Sequence, residues 1–184
     1  MLTLSTFRRL ARFARDRRGV SAVEFAFIAP VMIGLYLGCA EISDGVAADR
    51  KVSLIVDALA NLSAQVTTIS TSDMTNILNA SSSIISPYSA GNLQATLSCL
   101  KIDSTGRVTV AWSATMNGTA RATGSSVSIP SALAVPSSQL LLGEASYAYT
   151  PTVGYTITGT LTLSDHMYMA PRITAPTYNG VACT

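Results

Sequence analysis

From Val20 to Ala40 the chain runs through 21 residues that are apolar or small, with Glu24 the only charged side chain among them. At about 1.5 Å per helical residue, this length spans roughly 30 Å, the thickness of a bilayer's hydrocarbon core. Few folds are open to such a segment. In lipid its backbone must bond to itself, and its side chains must face hydrocarbon or other apolar helices. Glu24 is the exception, because a carboxylate at mid-membrane costs about 2.5–3.5 kcal/mol on insertion scales and marks a functional position by default. Only about 7 Å from the helix start, Glu24 bears part of that cost.

The flanking charges set a direction. Arg8, Arg9, Arg12, Arg15, Arg17 and Arg18 against Asp16 leave the first 18 residues at +5, so the remainder carries −3 of the net +2. By the positive-inside rule, residues 1–19 form a cytoplasmic leader and everything after Ala40 lies outside. Phe7, Leu10, Phe13 and Ala14 would let that leader rest on the lipid of the inner leaflet. With no other basic cluster in the chain, a nucleic-acid partner is disfavoured.

Two rival readings of the same segment stay open. Val46-Ala47-Ala48 offers a small-x-small signal-peptide cleavage site, and Leu37-Gly38-Cys39 resembles the end of a lipoprotein signal, although Tyr36 stands where an aliphatic residue belongs. The apolar run exceeds the roughly 7–15 residues of a signal core, which weighs against both.

A length of 184 residues suits one membrane segment and one modest domain. Past Glu41, the apolar residues Val52, Ile55, Val56, Leu59, Leu62 and Val66 recur at steps of three and four, with Asp49, Arg50, Asp57, Asn61 and Gln65 elsewhere on the turn. The pattern predicts that the transmembrane helix of residues 20–40 continues as an amphipathic spine over 41–70. The whole makes one helix of about 45 residues, with Pro30 and Gly45 as possible bends. A short helix follows, capped by Ser72 or Thr71, with Met74, Ile77, Leu78, Ile84 and Ile85 as its buried stripe.

Beyond Pro87 the period becomes two. Leu93, Ala95, Leu97 and Cys99 form one strand face, and Val108, Val110, Trp112 and Ala114 another, joined through the turn Asp103-Ser104-Thr105-Gly106. Residues 116–138 hold little that would anchor a core and read as an exposed connection, with one helical turn after Pro130. Tyr155 to Leu163 alternates apolar residues with threonines, and Gln139 to Thr150 is its partner across Pro151-Thr152-Val153-Gly154. The expected architecture is α+β: a long helix covering one face of a four-stranded antiparallel sheet, with the other face wet, in a domain spanning 71–184. Cys99 and Cys183 either pair in an oxidising compartment or stay as two buried thiols; pairing would secure a C-terminus that otherwise frays. Cys39 falls in the apolar segment.

Catalytic chemistry finds little support. His166, the sole histidine, follows Asp165 but has no nucleophile motif to serve, and one histidine with two distant cysteines is no metal set. No phosphate-binding or dinucleotide fingerprint occurs, so no cofactor is expected. Tyr147, Tyr149, Tyr155, Tyr168 and Tyr178 cluster late in the sequence, as strand-packing residues or as an adhesive surface.

Gly19, followed five residues later by Glu24 and then by Phe25 at the head of a hydrophobic helix, resembles the processing region of a type IV prepilin. The string from Asp16 to Pro30 is more narrowly similar to the TadE-like proteins, minor pilins or pseudopilins of tight-adherence (Flp) pilus systems. So are Tyr147-Ala148-Tyr149-Thr150-Pro151, Leu163-Ser164 and Tyr168-Met169-Ala170-Pro171-Arg172, near the C-terminus. The resemblance implies cutting between Gly19 and Val20 by a prepilin peptidase. It also implies other pilin subunits and an inner-membrane assembly platform as partners, a single-pass inner-membrane location and a periplasmic domain. Phe25 and the globular domain depart from the short major pilins, which have tyrosine after the glutamate, and this implies a minor component. A new Val20 amine of pKa about 8 would be charged at neutral pH and would suit the Glu24 carboxylate of a neighbouring subunit. On spacing alone, Glu24 can equally be an interfacial residue whose side chain snorkels to water.

Overall fold

The computed structural model describes residues 18–151 and 159–184. The leader through Arg17, the turn residues Thr152 to Gly154 and the expected strand residues Tyr155 to Thr158 lie outside them. One helix, α1, runs unbroken from Arg18–Ala64 over 47 residues, and Pro30 sits inside it. Proline supplies no backbone donor, so the Ala26 carbonyl lacks its usual intrahelical partner. Every residue from Gly19 to Ile28 is exposed, and the first buried residues of the helix are Glu41, Gly45 and Ala48. From there Val52, Ile55, Val56, Leu59, Ala60 and Ala64 are fully or almost fully buried. The helix ends at Ala64, earlier than its pattern predicts, and Leu62 and Val66 stay exposed. Its C-terminus is served by a distant loop. The Arg172 backbone N–H donates to the Ala64 carbonyl at 3.0 Å and its guanidinium to Asn61 Oδ1 at 2.7 Å, placing a cation at the negative end of the helix dipole.

Helix α2, Thr71–Ser82, packs beside α1 and is capped by Ser70 rather than Thr71 or Ser72. The reason is a reciprocal box: the Asp73 N–H donates to Ser70 Oγ at 3.2 Å, and the Ser70 N–H donates to Asp73 Oδ2 at 3.1 Å. Met74, Leu78 and Ile85 are buried, with Ile77 and Ile84 partly so.

Following β1 (Thr68–Ile69), the main sheet consists of β2 (Leu93–Ile102), β3 (Val108–Met116), β4 (Gln139–Tyr149) and β5 (Leu161–Met169). They lie in the order β3-β2-β4-β5, antiparallel throughout, so the chain is α+β. Of the expected Tyr155–Leu163 strand, residues 155–158 lie outside the described ones, and β5 extends beyond Leu163 to Met169. Its threonine alternation gives way to Ser164–Met169, which pairs with β4 from Leu141 onward. A short parallel pair, β1 with β6 (Thr177–Tyr178), closes the far end. Trp112 Nε1–H donates to the Pro176 carbonyl at 3.1 Å, and its ring meets Tyr178 at 5.4 Å, holding the tail against the sheet.

Two expectations about the sheet's faces are corrected. The register of β3 slips between the partners of Cys99 and Leu100, leaving Ala111 as an extra residue. A bulge reverses which way alternate side chains point. Trp112 and Ala114 therefore join the core under α1, whereas Val108 and Val110 face the opposite side with Leu100, Ile102, Leu140 and Leu142. That second apolar patch cannot stay wet, and residues 116–138 cover it. Val127, Ile129 and Leu133 pack onto the patch, and Gly124 to Val127 bonds along the edge of β3. The connection is thus a partial third layer that also protects a sheet edge.

Cys99 and Cys183 form a disulfide across 84 residues of sequence, and Cys183 is 1% exposed. Above α1, Gly143 of β4 lies so close that a Cβ would stand 3.1 Å from the Val56 carbonyl oxygen and 3.6 Å from Ala60 Cβ. In urea denaturation of the full chain in detergent, Cys183→Ser is expected to cost about 2–5 kcal/mol, because it frees a long loop in the unfolded state. Gly143→Ala is expected to cost about 1–3 kcal/mol by wedging the helix from the sheet. Gly45→Ala is its control, since the nearest atom there is Tyr149 Cε1 at 3.8 Å, and this variant should leave stability unchanged or raised.

Candidate functional site

The N-terminal half of α1 presents an apolar surface with no partner among the described residues. Phe25 is 71% exposed, Phe27 75% and Tyr36 74%. By length and composition this is a helix able to cross a membrane, and none of its most apolar window is buried. Gly19 and Val20 lie at its start, and Glu24 is exposed one turn further on. Three and four residues apart share a helix face, so Val20 and Glu24 lie on one side of α1. No described residue stands within 4 Å of a Cβ built at Gly19. Cys39 is a free, exposed thiol on the same half.

Where α1 passes from exposed to buried, a polar and aromatic collar gathers around it. Glu41 is 4% exposed. The Tyr88 hydroxyl donates to the Asp44 carbonyl at 3.1 Å, and the Tyr88 ring lies 6.3 Å from Tyr147 and 6.1 Å from Tyr149. Residues from α1, the segment before β2, and β4 meet here, at the end of the sheet facing the apolar half of the helix. Burial, followed by the nearby Asp44 charge, holds both Tyr88 and Tyr149 above the ordinary phenol value. Amphipathic rings of this kind favour membrane–water boundaries. Of the two roles open to Tyr147 and Tyr149, strand packing fits their burial; Tyr155 lies outside the described residues. Tyr88 carried no sequence signal, because only the fold brings it beside residues 44, 147 and 149.

His166 is exposed on β5, directly across from Glu144 of β4, and its ring meets Tyr168 at 5.5 Å. Asp165 binds the His166 backbone N–H at 2.8 Å. No serine, threonine or cysteine nucleophile is hydrogen-bonded to the ring among the described residues. Nor do these residues contain a group of three or more His, Cys, Asp or Glu placed to hold a metal ion.

The model of a family described as TadE-like protein matches residues 19–56, the stretch from the exposed glycine to the middle of the buried spine. Over that stretch the chain is similar to the TadE-like proteins. Comparison with curated proteins and with solved structures finds no match.

The collar has a pH consequence. Because the folded tyrosines ionise above their unfolded value near 10, their contribution is complete below that pH and is lost as pH rises through the folded values. Removing one ionisation should delay alkaline unfolding. Circular dichroism across an alkaline titration is expected to place the unfolding midpoint of Tyr149→Phe above that of the parent.

Proposed function

We propose that this chain is a minor pilin or pseudopilin that takes part in assembling a Flp/Tad-type pilus, as an initiating, tip or periplasmic scaffolding subunit. One observation carries the reading. The TadE-like stretch is a single continuous helix whose first half is apolar, exposed and marked by Glu24, and whose second half is the buried spine of a domain. Such a helix ties the position of the domain to whatever packs against the apolar half. In lipid that partner is another apolar helix or the acyl chains themselves.

In this reading a prepilin peptidase cuts between Gly19 and Val20, and the leader's arginines stay on the cytoplasmic side of a bacterial inner membrane. The new Val20 amine pairs with Glu24 of a neighbouring subunit. Pairing relieves two charges of their cost in lipid and sets the axial register of one helix against the next. Phe25 stands beside this pair on the exposed surface. Pro30, with the unbonded Ala26 carbonyl behind it, is the natural place for the helix to bend as it joins a bundle. Other pilin subunits, the prepilin peptidase, the inner-membrane assembly platform and membrane lipid are the partners; the sheet domain lies in the periplasm or on the fibre.

The test pairs two measurements. Intact-mass analysis of the membrane-extracted protein should give a chain starting at Val20, and a retained leader would refute processing. Glu24→Ala and Glu24→Val are expected to abolish piliation, scored by electron microscopy, while membrane levels of the protein stay at those of the parent. Normal pili in either variant would overturn the assembly role.

A further inference from the structure

The face of the sheet turned away from α1 is divided in two. Its far half is sealed by the apolar residues of the segment between β3 and β4, whereas its near half is an open groove of about 410 Å³. This volume falls within the range of small-molecule sites, about 300–1,000 Å³. Its floor is polar. Gln94 and Thr96 of β2, Glu144 and Ser146 of β4, and Ser164 and His166 of β5 line it, and Thr119 and Arg121 form a wall where the connecting segment departs.

The wall is fixed in place. Arg121 donates Nε–H to Glu144 Oε2 at 2.9 Å and a second bond to Oε1, and its backbone N–H donates to Ser113 Oγ at 3.2 Å. Floor residues sit on paired strands and move little. By contrast, the Gln94 amide and the Ser146 and Ser164 hydroxyls make no hydrogen bond to the described residues. They are donors and acceptors that no described residue uses.

Charge and polarity narrow the ligand. The Arg121 guanidinium is matched bidentately to Glu144, and Asp165 adds a further carboxylate at the margin, so the groove offers no net attraction for a phosphate or a sulfate. None of the lining side chains is a large aliphatic, so a greasy ligand gains little there. What remains complementary to neutral groups that both donate and accept is a ligand rich in vicinal hydroxyls. We infer that this groove is a binding site for a neutral saccharide, held by Gln94, Ser146 and Ser164 with the Arg121–Glu144 pair as its fixed wall. The groove lies opposite the spine helix and is open whether or not α1 is packed in a bundle, so the inference stands independently of the assembly role.

The test uses the full chain in lipid nanodiscs, titrated with lactose, maltose and N,N′-diacetylchitobiose, with inorganic phosphate as a further probe. Binding is followed by saturation-transfer NMR. At least one disaccharide should bind saturably, with a Kd on the order of 1 mM, and phosphate should not. Gln94→Ala and Ser164→Val are expected to weaken that binding about tenfold while thermal melts match the parent, and the exposed Thr150→Ala, outside the groove, should leave it intact. The inference is overturned by absence of saturable disaccharide binding up to roughly 50 mM, by phosphate binding instead, or by disaccharide binding that the two groove variants leave unchanged.

Discussion

The close passage of α1 over β4 at Gly143 is the contact on which the rest of the domain depends. With only a hydrogen at that position, the Val56 and Ala60 backbone settles directly on the strand, and Val52, Ile55 and Leu59 fall into the sheet on either side. Each fully buried aliphatic side chain is worth about 1.5–3 kcal/mol, so the spine carries much of the core. The same rod is bare at its other end. One continuous element therefore joins a segment apolar enough to cross a membrane to the buried spine of the domain.

Around that contact the sheet uses both of its faces. The bulge at Ala111 divides β3 between two cores, and the segment from Gly124 to Leu133 exists structurally to cover the second one. On the first face the disulfide and the Trp112–Pro176 bond hold the C-terminal tail, so Cys183 belongs to the core. The described residues leave the near half of the outer face open. Its floor is polar because it escaped the cover, and that is where the unused hydrogen-bonding groups lie.

Local pattern reading succeeded where one neighbour dominates. Val52, Ile55, Val56 and Leu59 meet a single flat surface, so a 3.6-residue period reports their burial; Leu93, Ala95, Leu97 and Cys99 do the same for a strand. It failed where two partners compete. Val108, Val110, Trp112 and Ala114 look like one face, but the extra residue at Ala111 splits them, and no composition signal marks a bulge. Residues 116–138 looked featureless because Val127, Ile129 and Leu133 are sparse, although three side chains suffice to seal a small patch. Ser70 capped α2 in place of Thr71 or Ser72, since the acid at Asp73 selects the residue three before it.

The sequence by itself determined the membrane-competent helix, its lone Glu24 and Gly19 at its head, because a lipid solvent judges each residue one at a time along a single axis. It also determined the α+β class, through the change of period after Pro87. Only the tertiary structure decided the tyrosine collar around Asp44, the closure of the tail through Cys99 and Cys183, and the polar groove between Gln94 and His166. Each joins residues dozens of positions apart, and their meeting depends on strand order and register, which no local pattern encodes.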